Sequence, residues 1–201
     1  MVKLSDEQKN FIVKNLKPLL EEDEVRKAYY LIESELDVDI LDEERGKFCS
    51  NILAWFIENG LDMLSYVNEI YEGAFMASDI ESIEIPSNIT TIQAYAFANC
   101  EQLTNVILHE GLETFEDTVF YNTSIRELTI PSTVRFMNFG VCERCDNLTK
   151  VTIKSMKIDL FMDTFPRNTI VTVPKGCDLR MFHPSNGDEV PISRALYHLQ
   201  N

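Results

Sequence analysis

Cys142-Glu143-Arg144-Cys145 is a C-x-x-C, a spacing used by zinc sites and by dithiol redox centres. A structural zinc ion needs a second pair of ligands, and a thioredoxin-like dithiol needs a strand-to-helix turn around it. The flanking residues offer neither. Both cysteines instead fall on positions of an internal repeat that Phe97 and Cys100 hold earlier, so they read as small buried hydrophobes. Cys100 reads the same way. A second candidate is the acidic stretch at 37–44, where Asp37, Asp39, Asp42, Glu43 and Glu44 suggest a calcium loop. Such a loop needs oxygen ligands at alternating positions, Gly at the sixth and Glu at the twelfth. Counted from Asp37, the fifth position is Leu41 and the sixth is Asp42. The spacing fails, and the run reads as a solvated helix start.

Catalytic patterns are missing as well. His109, His183 and His198 are isolated, and the chain contains no G-x-S-x-G, H-E-x-x-H or glycine-rich phosphate loop. Seven glycines leave few places where a backbone can close around a nucleotide. The expectation is a non-enzyme with no cofactor and no metal.

Charge narrows the partners. Asp plus Glu number 33 against 18 Lys plus Arg, a net −15 over 201 residues. That balance disfavours holding nucleic-acid phosphates directly or sitting on an anionic membrane, and it suits a basic protein partner. Residues 1–60 carry 14 acids and 8 bases, residues 61–153 carry 14 and 4, and residues 154–201 carry 5 and 6. The middle of the chain is the acidic part. The N-terminus mixes charges through every turn, so no secretory core is expected, and no apolar run reaches the ~18 residues of a membrane helix. Five widely spread cysteines, an odd number, point to reduced thiols and a cytoplasmic setting.

Three elements must then position any functional surface. The first 60 residues read as helices: Leu4, Phe11, Ile12 and Leu16 up to Pro18, then Val25, Ala28, Tyr29, Ile32 and Leu36, then residues 42–59 with Phe48, Ile52, Trp55 and Phe56 inward. From residue 64 a unit recurs. It reads IYEGAFMASDIESIEIP at 70–86, IQAYAFANCEQLTNVILH at 92–109, FEDTVFYNTSIRELTIP at 115–131 and MNFGVCERCDNLTKVTIK at 137–154. A shortened fifth unit surrounds Phe165 and ends TIVTVP. The slot residues Phe75, Phe97, Phe120 and Cys142 repeat every 22 or 23 positions, the period of a solenoid with a strand in each turn.

Alternation assigns the faces. Ile83/Ile85, Val106/Leu108, Leu128/Ile130, Val151/Ile153 and Val171/Val173 point inward as pairs. Ile92, Phe115 and Met137 form a second inward ladder, and Pro86, Pro131 and Pro174 end the strands. Glu84, Ile107, Thr129, Thr152 and Thr172 make one outward column, with Ser82, Asn105, Glu127 and Lys150 beside it.

These residues resemble the BspA-like leucine-rich repeats, whose pattern runs Ile, a small residue plus Phe, Cys, Leu, then Ile-x-Ile-Pro. The likeness is closest at Ile92, Ala96, Phe97, Cys100, Leu103 and Val106, and at Leu128, Ile130 and Pro131. It spans about residues 64–177, ending in TVPKG like the last strand of that family. Unit four departs, with Cys142 in the Phe slot. The resemblance implies a parallel-sheet solenoid used for binding, often of protein.

The expected architecture is therefore α+β: a helical region over 1–63, a solenoid of four to five units over 64–176, and a C-terminal cap over 177–201. Open solenoid ends expose strand edges, so both flanks are expected to cover them. Trp55, Phe56 and Tyr66 would serve at one end, and Ile192, Leu196, Tyr197 and Leu199 at the other. The expected function is a protein-binding module. Glu84, Glu113, Glu116 and Glu127 would steer encounter, and Ile107 would be an apolar anchor. An alternative from the same charge pattern is a small acidic inhibitor, encoded by a phage or mobile element, that blocks a basic nucleic-acid-binding groove.

Overall fold

The structure is a computed structural model that describes residues 10, 14, 64–192 and 198–200. The three expected helices, their inward residues Trp55 and Phe56, and the acidic stretch at 37–44 lie outside the described residues. So do Leu196, Tyr197 and Cys49.

Short strands dominate, as β-branched residues bounded by Asn, Gly and Pro turns require. In chain order they are β1 Glu69–Ile70, β2 Ser82–Ile85, β3 Thr91–Ile92, β4 Asn105–Leu108, β5 Thr114–Phe115, β6 Glu127–Ile130 and β7 Phe136–Met137. There follow β8 Lys150–Ile153, β9 Lys157–Phe161, β10 Ile170–Thr172, β11 Asp178–Phe182, β12 Glu189–Val190 and β13 His198–Gln200.

They form a parallel β-solenoid. One wall is a sheet ordered β1-β3-β5-β7-β9-β11-β12, parallel until β12, which returns antiparallel against β11. The opposite wall comprises β2-β4 and β6-β8-β10-β13, both parallel, with β4 lying beside β6 without joining its ladder. A third wall is built from turns. There the N–H of Phe75, Phe97, Phe120 and Cys142 donates to the carbonyl of Ala96, Val119, Val141 and Thr164, one turn on, at 2.7–2.9 Å.

Every expected inward pair is buried except Leu108, which is half-buried against the core. Strand spacing of about 4.8 Å also sets the spacing of like side chains. Phe75 and Phe97 stack with centroids 4.8 Å apart and planes 11° apart, and Phe97 and Phe120 follow at 5.4 Å and 20°. Cys142 continues that slot, fully buried.

Two positions in each of the first four turns of the third wall have left-handed backbone. Gly73, Tyr95, Thr118 and Gly140 occupy one slot, with φ between 53° and 63°. Ala77, Asn99, Asn122 and Arg144 occupy the other, with φ between 54° and 60°. Gly and Asn adopt this conformation readily, whereas Tyr95 and the β-branched Thr118 do so at a steric cost.

The tail adds to both sheets. β11 and β12 extend the first, and β13 extends the second, with Val171 opposite Leu199. Leu199 packs on the core. Ile192, expected among the covering residues, is instead 43% exposed, because it lies beyond the end of β12 and pairs with no strand.

Candidate protein-interaction surface

Glu84 and Ile107 are directly opposite each other in the β2/β4 register, both pointing away from the core. Ile107 is 44% exposed. Glu84 Oε1 meets His109 Nε2 at 2.6 Å, just past the end of β4. Glu127 opens β6 opposite Lys150 of β8, and their side chains approach to 3.4 Å. Thr129 and Thr152 continue the outward column, and Ile170 adds a second exposed isoleucine on β10. These residues share one wall.

Glu113 and Glu116 do not share it. They bracket β5 on the seven-stranded sheet. Glu113 is exposed, while Glu116 is half-buried and accepts a hydrogen bond from the Ala94 N–H at 3.1 Å. Glu116 thus ties one turn to the next, a structural task. The five candidates divide into a group of three and a group of two.

Charge is distributed unevenly along the axis. Residues 64–125 contain ten Asp and Glu and no Lys or Arg. Residues 126–192 contain eight acids against nine bases. The turns up to residue 125 therefore carry acids without a Lys or Arg, and the later turns are balanced.

Alternation alone did not single out a row of outward aromatics on the seven-stranded sheet. Phe136 meets Phe161 edge-on with centroids 6.1 Å apart, and Phe161 meets Phe182 at 6.2 Å. Beside them Arg180 Nε donates to Asp159 Oδ1 at 2.8 Å, and its guanidinium lies 5.6 Å from the Phe182 ring centre. The signal was present, since KIDLF and DLRMF each end on an outward Phe once Ile158/Leu160 and Leu179/Met181 are turned inward.

The thiols occupy structural positions. Cys100 Sγ donates to the Phe75 carbonyl and Cys145 Sγ to the Phe120 carbonyl, each at 2.9 Å. Thr123 Oγ1 lies 3.2 Å from Cys145 Sγ. Burial pushes the Cys100 thiol up, and the Cys142–Cys145 hydrogen bond raises Cys142 well above the ordinary thiol value while lowering Cys145. All three are fully buried, so reagent access rather than titration keeps them unreactive, Cys145 included. Iodoacetamide applied to the native protein should leave Cys100, Cys142 and Cys145 unmodified, with alkylation appearing only on unfolding. Peptide mass mapping reads this directly, and a Cys142–Cys145 disulfide in native protein would contradict it.

The histidines serve local contacts too. His183 Nδ1 accepts from the Ser185 N–H at 3.3 Å and lies 2.8 Å from Ser185 Oγ, closing the β11–β12 hairpin. His198 begins β13 and its N–H donates to the Thr169 carbonyl. Among the described residues, no three His, Cys, Asp or Glu side chains cluster as a metal site would require.

The pattern of the BspA type leucine-rich repeat region matches residues 68–179 in six copies. Among solved structures, a leucine-rich repeat protein from Bacteroides capillosus is 28% identical, with a TM-score of 0.40 over 44% of this chain and 64% of that one. The pneumococcal vaccine antigen PcpA is 19% identical, with a TM-score of 0.39 over 59% of this chain and 35% of that one. The chain therefore spans less than two thirds of either protein. No curated protein sequence matches it at a significant level. With six copies of the repeat covering more than half its length, the chain belongs to the BspA-type leucine-rich repeat family.

Proposed function

We propose that this chain is a non-enzymatic binding module that recognises a basic protein through the outer face of its solenoid. The observation that carries the reading is the run of ten carboxylates without a Lys or Arg over residues 64–125, most of them in the turns that join strands fixed by a buried core. Backbones already ordered lose little freedom on docking, so contacts on such a surface convert efficiently into affinity. Glu84 and Glu127 would set encounter rate and salt dependence, and Ile107 would slow dissociation once covered.

The experiment is capture of the partner from source cells, its identification by mass spectrometry, and titration against the double variant Glu84→Lys/Glu127→Lys. Both side chains point outward, so circular dichroism should be unchanged. The expected result is a loss of about tenfold or more in affinity, mostly through slower association. Unchanged affinity would remove this wall from the account and transfer recognition to residues 1–63. The alternative, an inhibitor seated in a nucleic-acid groove, shares that salt dependence and is separated by competition, since only it would be displaced from the captured partner by nucleic acid.

A further inference from the structure

Tyr95 stands in a slot that disfavours it. Its equivalents in other turns are Gly73, Gly140 and the buried Thr118, and its own φ is 58°. Left-handed backbone is costly for a bulky residue, and the usual compensation is packing of the side chain. Here the side chain is 46% exposed. The fold alone therefore does not account for a tyrosine at this position.

The surroundings indicate what the ring meets. Backbone bonds fix the neighbours: Tyr95 N–H donates to the Asp117 carbonyl at 3.1 Å, and Gly73 N–H donates to the Ala94 carbonyl at 3.0 Å. Gly73 and Thr118 therefore stand directly beside Tyr95, and Glu72 and Asp117, each one residue earlier, stand beside Ala94 in the turns on either side. Both acids are exposed. Gly73 has no side chain to cover the ring from the preceding turn. The same wall shows how a cation uses a tyrosine here, since the Arg144 guanidinium sits 5.7 Å from the Tyr121 ring centre, one turn away. Tyr95 has no such partner within its own part of the chain, because no Lys or Arg occurs between residues 48 and 125.

We propose that Tyr95, flanked by Glu72 and Asp117, is a docking point for an arginine side chain carried on an extended segment of the partner protein. A guanidinium stacked on the phenol ring with a carboxylate on either side combines a cation–π contact with charge-assisted hydrogen bonds. This rests on the protein-binding reading above and names the chemistry of one contact within it.

The probe is a fluorescein-labelled (Gly-Arg)5 peptide, followed by anisotropy at 150 mM salt, with (Gly-citrulline)5 as the uncharged control. Wild type should bind the arginine peptide and not the citrulline one. Tyr95→Gly should weaken binding about three- to fivefold, the upper range of an exposed cation–π contact, and Tyr95→Phe, which keeps the ring, should stay within about twofold. Because the slot accepts Gly, the Tm of Tyr95→Gly should not fall by more than about 3 °C. Tyr95→Asn, a residue already used with left-handed backbone at Asn99 and Asn122, gives a second variant with the same expected loss of binding.

Three results would overturn the proposal: no binding by wild type, equal binding of the citrulline peptide, or undiminished binding by both Tyr95→Gly and Tyr95→Asn. The last, together with a loss of partner affinity in Glu84→Lys/Glu127→Lys, would defeat the arginine contact and leave protein binding in place.

Discussion

Phe97→Ala should destabilise the solenoid by about 4–5 kcal/mol, at the upper end for a buried Phe truncation. The side chain is fully buried and stacked on both faces, by Phe75 at 4.8 Å and Phe120 at 5.4 Å. Truncation removes its own burial, opens a void in the middle of the column and breaks two aromatic contacts. The backbone cannot collapse into that void, since the Phe97 N–H is bonded to Val119 in the next turn and the Ala96 carbonyl accepts from Phe75 in the turn before. Phe97→Leu keeps most of the volume and should cost less than half as much. Urea unfolding followed by circular dichroism measures both. A loss under about 1 kcal/mol for the alanine variant is what an exposed site would give, and it would break the assigned register.

Gly111→Ala should cost about 3–4 kcal/mol, for a different reason. Gly111 has φ +118°, and a Cβ added there would sit 2.1 Å from the Ser87 carbonyl oxygen and 3.1 Å from its carbon. Those are backbone atoms, so no rotamer change relieves the clash. The turn between β4 and β5 must lift off the turn between β2 and β3, which strains the backbone bonds from His109 to Ile85 and from Glu113 to Thr90. Gly176 supplies the control, with φ +81° and nothing within 4 Å of an added Cβ. Gly176→Ala should therefore show only the backbone term, about 1–2 kcal/mol. Equal losses at the two positions would mean that the close approach to Ser87 is absent.

Much of this arrangement is legible in the sequence because a strand reports its faces by alternation. Ile83/Ile85 and Leu128/Ile130 identify the core side, and the slot residues Phe75, Phe97 and Phe120 mark the period. What alternation does not report is which of three walls an outward residue joins. Glu113 and Glu116 are close in sequence to the Ile107 column yet lie on the opposite sheet, because the turn after β4 carries the chain round before β5 begins. The left-handed positions were hidden for a related reason. Gly73 and Gly140 announce them, but Tyr95 and Thr118 occupy the same slot with residue types that give no such signal.

A fixed period also loses the tail. Val151 pairs with Val171, a step of 20 residues, and Val171 pairs with Leu199, a step of 28. Between these steps the chain makes β11 and the β12 hairpin, so the last turn is longer than the repeat predicts. The outward Phe161 and Phe182 arise in this irregular part, on five-residue strands where other turns of the same sheet use two.

The acidic polarity of the solenoid is the basis of the functional reading, and it depends only on which residues carry charge. Carboxylate footprinting of the complex tests it most directly: the captured partner is added, exposed acids are labelled with carbodiimide and glycine ethyl ester, and labelling is compared residue by residue with the free protein. The account predicts protection of Glu72, Glu84, Asp117 and Glu127, with Asp178, Asp188 and Glu189 labelled as before. Protection confined to Asp178, Asp188 and Glu189, with the first turns unchanged, would contradict it.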